Sequence, residues 1–522
     1  MSGVALAGGC VAPGVARAAP AGPPVVELAS GRVRGRWSGG VRQFLGIPYG
    51  ADTGARRFRA PEPVAPWTGV REATAYGAAS PQGGDGQGEA RSEDCLVLNV
   101  WAPEQRAGVK LPVLVYIHGG GYTSGSGASP LTHGANLAAR GDVVVVTLNH
   151  RLNVFGHFNL GGVAGADYAA SGNAGLLDLV LALEWVRDNA AAFGGDAGCV
   201  TLFGQSGGGA KIACLMAMPA AKGLFHRVWT MSGQQVTVQG PRGATARAKA
   251  AMEHLGVGVD ALRTMPVERL LAALSARDPS IAGARVYWGP VLDAALPVHP
   301  FWPEAPALSA HIPMVMGNTR EETGSLIARG DPAIFDLTWE TLPTRLERDM
   351  VSDVDVHAAI AMYRRLYPEL PPTQVFIRAT SAGRSWRAQV IEAEARARQG
   401  APTWVYQLDY SSRSNGGRYG AYHMLDIPLV FANTHEASAD TGDDEAARAM
   451  AATMSDALLR FARTGDPNSS QFGGGALPRW PQHELAKRET MMFDVATRVE
   501  ADPRGEERRF FGVAPYIQPG TY

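Results

Sequence analysis

The sequence predicts an α/β protein: a large, mostly parallel central sheet with helices on both faces and insertions that cap its functional end. Three observations lead there. Short runs of apolar, β-branched residues recur along the chain, and residues 143–148 form a nearly unbroken one, as a strand covered on both faces requires. Segments with apolar residues at helical spacing lie between these runs. The two kinds alternate, which is the order that winds helices onto both faces of a parallel sheet.

The elements follow in chain order. Residues 111–117 read as a strand that runs into His118-Gly119-Gly120-Gly121, and residues 136–140 leave room for a short helix before the strand at 143–148. Residues 173–193 carry Leu176, Leu177, Val180, Leu183, Trp185 and Val186 at helical spacing, stopped by Gly194-Gly195. A buried strand is expected at 200–203 and a helix at 207–218, then strands at 228–231, 314–316 and 404–408. A strong amphipathic helix at 446–464 closes the series. In such sheets the chemistry sits at the carboxyl ends of the strands.

Composition narrows the function. The chain has 522 residues, 46% apolar and 19% charged, with a formal net charge of −1, so it has no basic field for nucleic acid or an anionic membrane. No apolar run of 18 or more residues is visible, so no spanning helix is expected. Residues 25–522 read as one large domain. Residues 1–24 read as a leader, in which Ala16-Arg17-Ala18 suits signal peptidase. That points to the periplasm or secretion; nothing basic precedes Arg17, which keeps a cytoplasmic location as the alternative. Cys10, Cys95, Cys199 and Cys214 are scattered, with no metal-ligand spacing, and Cys199 and Cys214 are expected as buried thiols.

Gly204-Gln205-Ser206-Gly207-Gly208 is a G-x-S-x-G element between an expected strand and helix. A serine on that sharp turn needs small neighbours, and Ser206 is the candidate nucleophile. The glycines after His118 let backbone N–H groups approach a developing oxyanion, with the Gly207 N–H at a helix start as a further donor.

Together these residues resemble the type B carboxylesterases, a family of the α/β-hydrolase fold that includes cholinesterases and bacterial para-nitrobenzyl esterase. The likeness runs through Gly46-Ile47-Pro48-Tyr49, Ser92-Glu93-Asp94-Cys95-Leu96, Asn149-His150-Arg151-Leu152 and Phe193-Gly194-Gly195-Asp196. It implies a Ser–Glu–His triad and no cofactor. The acid is placed by Gly317-Asn318-Thr319-Arg320-Glu321-Glu322-Thr323, at Glu322; residue chemistry alone leaves Glu321 and Glu322 equivalent. The base is placed at His423, ahead of Leu429-Val430-Phe431, with His435 and His483 expected as exposed loop histidines. Gly120, Gly121 and Gly207 would hold the oxyanion. Gln205, Ser232 and Asp426 are expected to support the site.

The chain departs from the family at several positions. Gln205 stands for the usual glutamate, Gly207 for alanine, Thr323 for glycine, Asp426 for glutamate, and Ser80 for the cysteine that would pair with Cys95. A small-molecule ester is the implied partner. A lipase of the same fold is the near alternative, and a non-catalytic, neuroligin-like binding protein the remote one. Discrimination rests on the loops after Pro66 and on residues 290–335; Trp288, Phe301, Trp302 and Phe335 are candidates for an acyl pocket, with aromatic core packing as the alternative for each.

Overall fold

The computed structural model describes residues 22–84, 89–470 and 477–518. Except for its last residues, the expected leader lies outside the described residues. The N-terminal strands are β1 (Val25–Leu28), β2 (Gly31–Arg34), β3 (Arg36–Ser38), β4 (Val41–Pro48), β5 (Val70–Glu72) and β6 (Val97–Ala102). Then come β7 (Leu111–Ile117), β8 (Val144–Leu148), β9 (Gly195–Gln205) and β10 (Arg227–Met231). The last are β11 (Met314–Thr319), β12 (Thr403–Leu408), β13 (Glu489–Phe493) and β14 (Arg498–Ala501).

Among the described residues one 11-stranded sheet has the order β14-β13-β12-β11-β10-β9-β7-β8-β6-β4-β3, and β1-β2-β5 form a 3-stranded sheet. Every neighbouring pair from β8 through β7 and β9 to β13 is parallel. The edges β3-β4-β6 and β14 are antiparallel.

Alternation along a strand explains the two-faced core. In β7, Val113, Val115 and Ile117 point to one side, with helices Ala174–Asn189 and Gly207–Ala217, while Leu114 and Tyr116 point to the other. The second side is covered by helices Asp426–Phe431 and Glu445–Thr464. The long C-terminal helix starts where the Asp444 carboxylate accepts from Ala447 N at 2.9 Å and stops at left-handed Gly465. Its Leu458, Leu459 and Phe461 are fully buried, each stabilising the fold by about 1.5–3 kcal/mol.

The structure corrects several expectations. The antiparallel strands of residues 25–48 went unread because β1 alternates exposed and buried residues and the largely buried β4 interrupts its apolar residues with Arg42 and Gln43, so neither forms an apolar run. The 173–193 helix is α-helical over Ala174–Asn189 and tightens to a 3-10 turn at Ala190–Phe193. The stretch Ala166–Phe193 is long and apolar enough by length and composition to cross a membrane, with mean hydropathy 1.2, yet 78% of that window is buried inside the protein, as in a core helix. Cys214 is buried as expected, but Cys199 is only partly so, its Sγ 3.2 Å from Arg227 Nη1. His483 is buried beside β12, where its N–H donates to Thr403 O at 2.7 Å, whereas the side chain of His435 is exposed.

Candidate active site

Ser206 follows β9 directly, with φ 56° and ψ −128°, a conformation that costs a non-glycine residue about 1–3 kcal/mol. The turn is held by Ser206 N–H donating to Met231 O at 2.8 Å. Its glycines are sterically required. A Cβ on Gly208 would lie 1.9 Å from Ile117 O, and one on Gly204 2.7 Å from the Gly208 carbonyl carbon. Gly120 and Gly121 have φ 83° and 62°, so the turn after β7 also needs residues without side chains. The two turns touch: a Cβ on Gly207 would sit 2.1 Å from Gly121 O. That contact accounts for glycine where relatives carry alanine.

Glu322 follows β11 and His423 follows β12, so the carboxyl ends of three parallel strands bring Ser206, Glu322 and His423 together. His423 Nδ1 is hydrogen-bonded to Glu322 Oε2. Glu322 is fully buried, and its Oε1 accepts from Asn318 Nδ2 at 2.9 Å and Thr319 N at 3.0 Å. Burial by itself would raise this carboxyl. The His423 charge and hydrogen bonds from His423, Ser232 and Asn318 outweigh burial and hold it below the ordinary range. His423 Nε2 lies 3.2 Å from Gln205 Nε2, which donates to it. Among the described residues Ser206 Oγ makes no hydrogen bond to His423; such bonds often form only with substrate in place.

Around these three residues, Asp426 is wholly buried, accepts from Tyr406 OH at 3.2 Å through Oδ2 and leaves Oδ1 unpartnered. Burial, followed by the Glu322 charge, pushes it up to about 7. Glu321 is no solvated loop carboxylate. It is buried, pairs with Arg378 Nε at 2.9 Å and accepts from Ala421 N at 2.9 Å, pinning the loop that carries His423. Thr323 Oγ1 donates to Ile377 O at 2.8 Å, a bond the family's glycine could not make. Cys95 is a free, buried thiol, and Ser80 Oγ instead accepts from Leu152 N at 3.2 Å.

Two cavities, of about 580 and 460 Å³, share Ser206, His423, Gly121 and Leu326. The larger is walled by Tyr287, Trp288 and Arg384, the smaller by Leu131, Met424 and Ile427. Of the aromatic candidates only Trp288 lines either one. Phe301 is in the core, Trp302 is 58% exposed and Phe335 packs on Tyr419. Residues from 278–288 and 384–388 line the larger cavity, of the segment 290–335 only Leu326 lines either one, and the described part of the loop after Pro66 lines neither. Sequence reasoning missed Lys211, wholly buried in helix Gly207–Ala217. A lysine inside the apolar run Ala210-Lys211-Ile212-Ala213 was the available signal.

A doubly covered parallel sheet with a serine on a strained turn, a buried Glu–His pair beside it and a glycine turn opposite defines a hydrolase of the α/β-hydrolase fold. Residues 22–511 match the family described as the carboxylesterase family, and the chain belongs to it as a carboxylic ester hydrolase. It is 36% identical over 502 residues to the para-nitrobenzyl esterase of Bacillus subtilis (strain 168), covering 93% of this chain and 98% of that one. It is 34% identical to the phenmedipham hydrolase of Pseudarthrobacter oxydans, over 88% and 92% of the two chains. A solved carboxylesterase from Geobacillus stearothermophilus superposes with a TM-score of 0.81 at 38% identity, over 93% of this chain and 99% of that one.

Proposed function

We propose that Ser206, His423 and Glu322 are the catalytic triad of this ester hydrolase and that the N–H groups of Gly120, Gly121 and Gly207 hold the oxyanion. His423 takes the Ser206 proton as Oγ attacks the ester carbonyl. Collapse of the tetrahedral intermediate expels the alcohol, which leaves with the proton from His423. Water activated by the same imidazole then releases the acid. Glu322 orients the ring and balances its cation, a task suited to a carboxyl kept ionised. Gln205 holds Nε2 in the resting enzyme, and Ser232 and Asp426 support the Glu322–His423 pair.

The observation that carries this reading is the buried Glu322–His423 pair at the mouth of a cavity lined by Ser206. The two cavities meeting at Ser206 suit the acyl and alcohol halves of a small ester. With para-nitrobenzyl esterase among the relatives, we assign esters with an aromatic alcohol as the first substrates to try.

The test is covalent. A fluorophosphonate should label one serine per chain, mapped to Ser206 by peptide mass, and Ser206→Ala should lose labelling together with at least about a thousandfold in kcat. Labelling at another serine, or activity within about tenfold of the parent, would overturn the assignment. A p-nitrophenyl acyl series separates esterase from lipase: rates falling beyond medium chains mark the former, and a jump at the oil–water interface the latter.

A further inference from the structure

Lys211 has no place in that mechanism, yet it is among the most costly side chains in the molecule to bury. It is 0% exposed, its Nζ donates to His118 O at 3.1 Å, and it lies 5.6 Å from the centre of the Tyr122 ring. Among the described residues no carboxylate pairs with it. The groups that face it come from three elements. The turn after β7 contributes His118 and Tyr122, the segment after β8 contributes His150 and His157, and Cys214 lies on its own helix. His118 and His150 stack with ring centres 4.8 Å apart. Burial, reinforced by the Lys211 charge, lowers both of these, and His157 is lowered the same way, so all three are neutral. Burial pushes the Cys214 thiol up to about 12. The carboxyl in the next layer, Glu392, is bonded to Gln235 N at 2.7 Å and pushed up to about 8 by burial, so it offers no counter-charge at neutral pH. An uncompensated buried ammonium costs several kcal/mol and persists where it has a use.

His118 O is the acceptor, and His118 opens the turn that ends in Gly120 and Gly121. We propose that Lys211 is a positioning residue of the oxyanion hole: its ammonium fixes the His118 carbonyl, and with it the glycine turn, and provides the buried positive charge that favours the oxyanion. The inference rests on the assignment of Gly120 and Gly121 as oxyanion donors. Negative charge appears there only during reaction, so the lysine acts on kcat and leaves ground-state binding alone. Burial lowers Lys211 to about 7. The ammonium is therefore present below neutrality and lost above it, which places an alkaline limb on kcat.

The experiment compares the full-length protein with Lys211→Met, which keeps length and loses charge. On p-nitrophenyl butyrate, kcat should fall roughly tenfold or more, while KM changes less than about threefold. Binding of a trifluoromethyl ketone, whose adduct with Ser206 carries an oxyanion, should weaken by a similar factor. The alkaline limb of the parent should vanish in the variant. A purely packing role would lower the melting temperature and leave limb and inhibitor affinity in place, which overturns the proposal. So does a parent profile flat from pH 6 to 9, a measurement that stands even if the variant fails to fold. Stoichiometric fluorophosphonate labelling of Ser206 in the variant keeps the triad reading separate from the lysine.

Discussion

Among the described residues the buried carboxyls Glu322, Glu321 and Asp426 gather on the His423 side of Ser206, whereas Lys211, a buried ammonium with no carboxylate paired to it, bonds the turn after β7 on the other side. Glu322 faces His423, Glu321 faces Arg378, and Asp426, where burial and the Glu322 charge outweigh the His423 charge, is pushed toward the protonated form. Lys211 is surrounded by imidazoles that burial keeps neutral. In the proposed mechanism the acids stand where an imidazolium forms and disappears in each turnover, and the cation stands where an oxyanion does so. Each side would then carry the sign opposite to the charge that mechanism creates beside it. The low-dielectric interior, which makes these groups costly to bury, makes their effect on a transient charge large.

Breaking the acid side should produce the largest effect. Glu322→Gln leaves the imidazolium without its counter-charge, and kcat should drop by about 10³–10⁴ with the fold intact. Glu321→Gln should cost less than about tenfold in kcat and lower the melting temperature, because that carboxylate holds Arg378 and the loop at Ala421. Steady-state kinetics on the two variants decides the matter; equal losses would erase the distinction between adjacent glutamates.

Adding an acid should have an intermediate effect. Gln205 places an uncharged amide donor against His423 Nε2. In Gln205→Glu a carboxylate would favour the imidazolium instead. The acid limb of kcat/KM should move to higher pH by several tenths of a unit or more. A limb that stays fixed in a folded, active variant removes the electrostatic role of this position.

The smallest effect concerns stability alone. Because Asp426 is raised to about 7 in the folded state, its contribution is fully present below the ordinary aspartate value and is lost as pH rises through about 7. Asp426→Asn carries no such charge. Its melting temperature relative to the parent should therefore increase from pH 5 to pH 8, by about 2 °C or more. A difference that is the same at both pH values would contradict the burial argument.

The sequence makes the parallel half of the sheet legible because strands covered on both faces must be continuous apolar runs. It leaves the N-terminal strands obscure because β1 offers only a short alternation and β4 carries polar Arg42 and Gln43 among its buried residues. The G-x-S-x-G turn was readable for a steric reason, since Gly204 and Gly208 have no room for a Cβ. Separating Glu322 from Glu321 needed a family pattern, because both are acidic and both prove to be buried. Lys211 interrupts an apolar helix, which signals a buried charge, but nothing local in the sequence records that its ammonium reaches the turn after β7. His483 escaped notice in the same way, as its loop folds back onto β12 and nothing local records that return.

The contact between Gly207 and Gly121 constrains how this sequence can diverge. With the Gly121 carbonyl 2.1 Å from where a methyl group would stand, a change at 207 is a change in the shape of the opposite turn. The alanine usual in relatives is thus incompatible with the present course of residues 118–121, although it is harmless in its own chemistry. Passage between the two states requires the turn to shift first, through substitutions at positions such as Ser124 that brace Gly120. The two turns are sterically coupled, and a library that varies position 207 alone is expected to displace the turn at Gly121.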